Sequence, residues 1–171
     1  MNRLILILAV ATALGGSAAK AADPQNAITL LPISRELGTF GLEYERAFGA
    51  TSWFLAGQLA NPLASQPIRA GLDLGLRFYP FAPAPRWFFV GPHLGLEYFD
   101  AARTGIAAKT GGFRVGASAG LNLLIGDLLL LSGSVGGEYF RDYTVSTGDG
   151  EIRTDRYDLR LIYRAGLGFA F

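Results

Sequence analysis

The chain contains no cysteine, one histidine and only two lysines among its 171 residues. Without cysteine, neither disulfide bridges nor thiolate-bound zinc can contribute to the fold. The single histidine, His93, leaves no histidine pair for a metal site, and no P-loop or Rossmann spacing is present. We therefore expect no metal and no other cofactor.

Long apolar segments are also missing. The apolar run Leu4–Leu14 has 11 residues, whereas a helix that spans a membrane needs about 20. Arg3 before the run and Ala19-Lys20-Ala21 after it form the pattern of a cleaved secretory signal. The sequence thus predicts a signal peptide at residues 1–21 and one mature domain at residues 22–171. Without Arg3 and Lys20, 13 basic residues stand against 14 acidic ones, which gives no electrostatic basis for binding nucleic acid.

The chain is rich in residues that alternate between apolar and polar or small types. From Tyr157 to Phe171, every second residue is aromatic or aliphatic, and the residues between them include Asp158, Arg160 and Arg164. A period of two is that of a β-strand, whose successive side chains point to opposite faces. In lipid, all backbone groups must be paired within the protein, so an apolar chain without spanning helices favours a closed barrel.

Similar runs occur about eight times, and they predict an all-β fold. The expected architecture is an eight-stranded antiparallel transmembrane up-and-down β-barrel with both termini in the periplasm. The first strand, Ala27–Ile33, is short and contains Pro32. Pro92 cannot donate to a ladder, so we expect a bulge there that reverses the facing of Trp87–Val90. Short links are predicted at Gly49–Ser52, Phe81–Pro85 and Gly126-Asp127, and longer outer loops at Asp100–Gly112 and Thr144–Asp155.

Polar residues of the alternating runs are predicted to point into the lumen. An eight-stranded barrel is just wide enough for its side chains to fill the interior, and a buried ion that loses its partner costs about 3 to 5 kcal/mol. We therefore predict a network of ion pairs that plugs the lumen, with a narrow ion-conducting path as the alternative. Its members are seven acids, six arginines and one histidine, namely Glu43, Glu45, Arg69, Asp73, Arg77, His93, Glu97, Arg114, Glu138, Asp142, Arg156, Asp158, Arg160 and Arg164.

A catalytic alternative has to use His93. A barrel that hydrolyses lipid A needs a serine activated by a histidine that a carboxylate orients. Ser118, Ser132 and Ser134 share the inward parity, and Glu97 lies four residues after His93. Lipid A deacylases place histidine and serine two residues apart on a lipid-accessible face, whereas this chain has Gly95 at that position. We expect His93 to pair with Glu97 or an arginine, and the protein not to be an enzyme.

Aromatic residues lie near the strand ends and are typical of the interfacial girdles of membrane barrels. The alternative is a soluble exported barrel with an apolar ligand inside. The girdle residues are Phe48, Trp53, Phe78, Phe169 and Phe171 at one rim, and Tyr98, Tyr139 and Tyr157 at the other. We also predict that the apolar face of the last strand is the signal read by the outer-membrane assembly machinery. That signal comprises Tyr163, Leu167, Phe169 and Phe171.

Several stretches resemble a bacterial family of small outer-membrane barrels of unknown function. They are Asn26-Ala27-Ile28, Leu42-Glu43-Tyr44-Glu45-Arg46-Ala47, Arg77-Phe78-Tyr79-Pro80-Phe81, Ala84-Pro85-Arg86 and Gly91-Pro92. The whole pattern is similar to the opacity, OmpA and OmpX class of eight-stranded barrels. This resemblance implies an integral outer-membrane location, contact with outer-membrane lipid, and a structural role or a surface partner bound through the outer loops. It implies no catalytic residues. We expect a monomer.

Overall fold

The computed structural model describes residues 24–34, 39–60, 68–100, 109–147, 150–152 and 157–171, so the signal peptide expected at residues 1–21 lies outside the described residues. Within these ranges, no helix has the length and apolar character needed to cross a membrane. The regular elements are β1 (Asn26–Ser34), β2 (Thr39–Phe48), β3 (Thr51–Ala60), β4 (Ile68–Phe78), β5 (Trp87–Asp100), β6 (Lys109–Ile125), β7 (Leu129–Thr147), β8 (Gly150–Ile152) and β9 (Tyr157–Ala170).

Eight of these strands form a closed antiparallel ring in the order β1-β2-β3-β4-β5-β6-β7-β9, with β9 paired back to β1. The seam pairs Ala27 with Ala170 and Thr29 with Gly168. Two backbone hydrogen bonds of 2.8 Å between Asn26 and Phe171 extend it. The short strand β8 pairs with the end of β7. The predicted closed eight-stranded up-and-down barrel is confirmed.

Alternation along each strand separates an apolar outer face from a charged inner face. On β4, Leu72, Leu74 and Leu76 are each about half exposed, whereas the residues of the alternate positions Asp73 and Arg77 are buried. The same separation holds on β7, where Leu130 and Glu138 are buried and Val135 is exposed. The buried core is therefore the lumen of the barrel, and most of the charged side chains that the structure describes lie in it.

The two strand prolines are accommodated differently. In β1, which is slightly longer than expected, the register with β9 shifts by one residue between Leu30 and Ile33, around Pro32. The bulge expected at Pro92 is wrong. On the β4 side, pairing resumes in the same register, with Gly75 opposite His93 and Phe78 opposite Val90. Gly91 permits this close approach, because a Cβ there would lie 1.9 Å from the Leu76 carbonyl oxygen.

The expected reversal before Pro92 is also wrong. Phe89 is buried inside the barrel, whereas Phe88 and Val90 face outward. These residues keep the parity of His93 and Leu94 because no residue is inserted between them. Trp87 has a positive φ of 67° at the start of β5 and is exposed.

The connections define two ends of the barrel. At the turn end lie Gly49–Ala50, Tyr79–Arg86 and Gly126–Leu128 together with the seam residues Asn26 and Phe171. At the opposite end, called the loop end here, part of the expected loops is strand. β6 begins at Lys109 and β7 runs to Thr147, with β8 at Gly150–Ile152. The loop boundaries at Gly112 and Thr144 were therefore wrong, because β6 and β7 continue pairing to Lys109 and Ser146.

Candidate functional site

The lumen holds a ladder of ion pairs that begins near the turn end with Arg77. Arg77 follows Gly75 on the inward face of β4, and its Nη2 lies 2.8 Å from the Glu43 carboxylate. Its Nη1 donates to Glu45. The guanidinium is also sandwiched between aromatic rings, 4.4 Å from the Phe54 centroid and 4.5 Å from that of Phe89. Arg77 thus pairs with two acids of β2 and packs against two aromatic rings.

Asp73 is the centre of the ladder. One of its oxygens accepts a hydrogen bond of 2.9 Å from Arg114 Nη2, and the other accepts one of 2.7 Å from Arg164 Nη2. The amide of Gln58 donates to the second oxygen as well. Arg164 Nη1 also lies 3.6 Å from Glu43, which connects this group to Arg77. One carboxylate of β4 therefore holds arginines from β6 and β9.

Toward the loop end the ladder continues through Glu97 and becomes less buried. Arg114 Nη1 donates to Glu97 at 2.6 Å, and Arg160 Nη1 lies 3.9 Å from the same carboxylate. Arg160 also approaches Asp158 at 3.4 Å and stacks 4.0 Å from the centroid of Phe140. The side chains of Arg160 and Asp158 are 32% and 44% exposed. Their ion pair is therefore the water-screened part of the network.

Charges in the deep part of the ladder are balanced. The acids Glu43, Glu45 and Asp73 face the arginines Arg77, Arg114 and Arg164, and all six are buried. A buried pair is not by itself strongly stabilising, but removing one partner leaves an uncompensated ion. The network therefore stabilises the barrel only as a complete set.

Among the expected lumen residues, Arg69 lies at the loop end and the side chains of two others lie outside the described part. Arg69 is half-buried at the loop end. There it lines a cavity of about 340 Å³ together with Gln58, Glu97 and Arg160. Arg156 and the side chain of Asp142 are not among the residues that the structure describes.

His93 pairs with Glu138, so its expected pairing with Glu97 or an arginine is wrong. Its Nε2 lies 3.6 Å from the Glu138 carboxylate, and both side chains are buried. Gly116 of β6 makes room between them, since a Cβ there would lie 2.8 Å from His93 Cε1. Glu97 is drawn instead to Arg114, whose guanidinium reaches it from the neighbouring strand.

The arrangement around His93 lacks the contacts of a hydrolytic site in the described residues. Neither ring nitrogen of His93 has a hydrogen-bond partner there, so no serine is bonded to it. In nucleophilic acyl transfer, the nucleophile typically lies within hydrogen-bond reach of its base. The same residues contain no cluster of three or more side chains that could hold a metal ion.

Sequence reasoning missed the residues that close the lumen at the turn end. Tyr79 donates a hydrogen bond of 2.5 Å to Glu45, as does Ser52, and the amide of Asn122 donates to the Tyr79 hydroxyl at 3.0 Å. Burial, followed by the Glu45 carboxylate, raises the pKa of the Tyr79 phenol well above its usual value, so it remains a donor. The inward parity of Ser52, beside the outward Trp53, was the signal that could have found this group.

The link Tyr79–Arg86 covers the turn end of the barrel. The Ala84 amide donates to the Gly49 carbonyl and the Tyr79 amide to the Ala50 carbonyl, each at 2.8 Å. Ala84 and Tyr79 pack with Ala47 and Phe89. Arg86 reaches across to Asp127 of the next turn at 2.7 Å. Side chains and this link thus fill the turn end, while the cavity lies at the loop end.

The outer face is a continuous apolar belt. Every barrel strand contributes at least one exposed large apolar side chain, among them Leu30, Leu42, Leu55, Leu74, Leu94, Leu121, Val135 and Leu161. The expected assembly-signal residues, Tyr163, Leu167, Phe169 and Phe171, are all exposed on this face. Of the expected rim aromatics, Phe48, Phe78, Phe169 and Phe171 are exposed at the turn end, Trp53 is half-buried there, and Tyr98 and Tyr139 are exposed toward the loop end. The side chain of Tyr157 lies outside the described residues.

No protein-family model matches this chain, and no curated protein or solved structure is significantly similar to it. The chemistry of the two barrel faces therefore has to indicate what the protein does. One face is apolar around the whole ring, and the other is a network of paired charges.

Proposed function

We propose that this protein is an integral outer-membrane β-barrel with a structural or surface-interaction role, no catalytic activity and a lumen plugged by ion pairs. The apolar belt carries this proposal. Leu159 and Leu161 are 79% and 78% exposed, and the belt includes all eight barrel strands. Soluble monomers rarely expose contiguous apolar patches larger than a few hundred Å². Lipid is the environment that such a ring matches.

The dimensions of the belt support the same proposal. β4 has 11 residues. At about 3.3 Å per residue and a tilt of about 45°, a strand of this length rises about 25 Å, the height of the apolar band of outer-membrane barrels. Among strand residues whose side chains are described, only Arg46 and Arg141 are charged residues of outward parity, and they lie toward opposite ends of the barrel. The region between them matches a hydrocarbon layer.

The Leu74→Arg variant tests the membrane assignment. Leu74 lies near the middle of β4, faces outward and pairs with Leu55 and Leu94. If the belt is in lipid, an arginine at the midplane lowers the free energy of unfolding by about 2 to 4 kcal/mol. In a water-soluble barrel, the same exposed substitution changes it by less than about 0.5 kcal/mol. Urea titration of the barrel in phospholipid vesicles measures the difference.

Phe48→Arg is the matched control for that experiment. Phe48 is exposed on the same face but lies at the last residue of β2, at the turn end. A charge at the interface costs only about 0 to 1 kcal/mol. Equal effects of the two substitutions, or release of the protein from washed membranes without detergent, would contradict the proposal.

A plugged lumen predicts no porin-like conductance. Arg77, Tyr79 and Phe89 are buried within the turn end, where the paired charges and the link under the barrel occupy the interior. In planar bilayers we expect the folded protein to give no regular steps of porin size, with a general porin measured alongside. Steps of that size would favour the ion-conducting alternative.

The proposed orientation places the turns and both termini in the periplasm, as in outer-membrane barrels with an even number of strands. The partners of the protein are then outer-membrane lipid and, through the exposed face of Tyr163, Leu167, Phe169 and Phe171, the assembly machinery. Surface partners would contact the loop end. The resemblance to the opacity, OmpA and OmpX class favours this assignment, and a monomer suffices for it because the ring closes within one chain.

A further inference from the structure

Arg46 is a charged residue on the otherwise apolar outer face of β2. It is exposed, and it lies between the outward residues Tyr44 and Phe48. Its neighbours in sequence, Glu45 and Ala47, point into the barrel and are buried. The acid closest along the chain is therefore separated from Arg46 by the sheet itself.

The described neighbours of Arg46 are aromatic and polar residues. It pairs with Asn26 of β1 on one side and with Trp53 of β3 on the other. The guanidinium lies 5.7 Å from the centroid of the Phe48 ring. Tyr44 meets Trp53 edge to face at 5.4 Å, and its hydroxyl donates to Asn26 Oδ1 at 2.8 Å. Within the described part of the chain, the contact with Phe48 is the one interaction of the Arg46 guanidinium, and no carboxylate reaches it.

The other outward arginine is in a different position. Arg141, toward the loop end, is half-buried, and its side chain interacts with other residues of the protein. Arg86, at the turn end like Arg46, forms an ion pair with Asp127 at 2.7 Å. Among the described residues, Arg46 is thus an exposed guanidinium that packs on an aromatic ring and has no anion within ion-pair distance.

We propose that Arg46 binds the phosphate of a glycerophospholipid in the membrane leaflet at the turn end. This inference rests on the membrane-spanning function proposed above. A guanidinium presents a planar fork of donors that matches two phosphate oxygens, and the bonds are charge-assisted. Tyr44 and Trp53 beside it supply the amphipathic rings that favour the headgroup level. A lipid phosphate at this position pairs with the positive charge of the Arg46 guanidinium.

The test uses the mature barrel folded in a maltoside detergent, which carries no phosphate. The probe is dihexanoylphosphatidylglycerol, with dihexanoylglycerol as the matched lipid that lacks the phosphate, and native mass spectrometry counts the bound molecules at increasing lipid concentration. We expect one tight phosphatidylglycerol site in the unsubstituted protein. Arg46→Gln should weaken it about tenfold, the loss expected for one charge-assisted contact. Arg46→Lys keeps the charge but not the planar fork of donors, so its affinity for phosphatidylglycerol should lie between those of the unsubstituted protein and Arg46→Gln.

Arg86→Gln is the control variant, because it removes the same charge from the same end of the barrel where a carboxylate already pairs with it. Its phosphatidylglycerol binding should equal that of the unsubstituted protein. Three results would each contradict the phosphate site. They are phosphatidylglycerol binding by Arg46→Gln as tight as by the unsubstituted protein, binding of dihexanoylglycerol as tight as of the phosphatidylglycerol, and a loss of affinity in Arg86→Gln as large as in Arg46→Gln.

Failure of this site is distinguishable from failure of the proposed function. Each variant is first tested for insertion into phospholipid vesicles by its heat-dependent electrophoretic mobility. If the unsubstituted protein does not insert, the membrane assignment and the phosphate site are both wrong. If all variants insert and Arg46→Gln binds lipid normally, only the phosphate site is wrong.

Discussion

Asp73→Asn is expected to lower the free energy of unfolding by about 3 to 5 kcal/mol, the cost of breaking a buried ion pair from one side. Asp73 is fully buried, and its two oxygens accept hydrogen bonds from Arg114 and Arg164. Asparagine has nearly the same volume, so the substitution removes the charge without leaving a cavity. The guanidiniums of Arg114 and Arg164 then lose the carboxylate that they share, so buried positive charge is left uncompensated. Urea titration of the folded barrel, followed by electrophoretic mobility or fluorescence, measures the loss.

Asp158→Asn provides the control at the exposed end of the same ladder. Asp158 lies 3.4 Å from Arg160, but its side chain is 44% exposed. A water-screened pair contributes about 0 to 1 kcal/mol, so this variant should stay close to the unsubstituted protein. In a second variant, Asp73→Asn combined with Arg164→Met removes the excess positive charge and should recover part of the stability. If Asp73→Asn and Asp158→Asn unfold at the same urea concentration, the ladder does not stabilise the barrel as described.

Gly168→Val is expected to prevent closure of the barrel. Gly168 of β9 pairs with Thr29 of β1 in the seam that joins the first and last strands. A Cβ on Gly168 would lie 2.2 Å from the Ile28 carbonyl oxygen and 2.8 Å from Thr29 Cα. Both are backbone atoms, so they can move away only if the pairing is given up. We expect loss of the compact, heat-modifiable form on unboiled gels.

Gly133→Val is the matched control for the seam variant. Gly133 also lies within a barrel strand, β7, but no atom lies within 4 Å of the position that a Cβ would take. Valine favours strands, so the folded fraction should be unchanged. A compact form of Gly168→Val in the same amount as for Gly133→Val would contradict the seam between β1 and β9.

Much of the fold could be predicted from the sequence, because alternation is a local property. The parity of Leu72, Asp73 and Leu74 can be read from three neighbouring residues, and the structure places them outward, inward and outward. The prediction failed where it departed from simple alternation. Pro92 was expected to cause a bulge, yet Gly91 allows a close approach to Leu76 and β5 stays in register with β4.

The candidate site was predicted as a set of inward charges, but its pairings were not. Asp73 and Arg164 are 91 residues apart and are brought together across the lumen. Their contact depends on the register of each pair of strands around the ring. His93 illustrates the same limit, since Glu97 is near it in sequence while Glu138 is the carboxylate that faces it. Tyr79 was missed for a related reason, because its packing against Ala47 and Phe89 depends on residues that are distant in sequence.

The sequence by itself determined that the chain alternates with the strand period, that its polar side carries balanced charges, and that a closed all-β barrel can satisfy both. These properties depend on composition and on neighbouring residues, so no tertiary contact is needed to read them. Only the tertiary structure decided which acid meets which arginine, and that no acid of the described residues pairs with Arg46 beside its aromatic neighbours. Closure and register fix those distances, because they set which inward and outward positions of distant strands lie at the same height in the barrel.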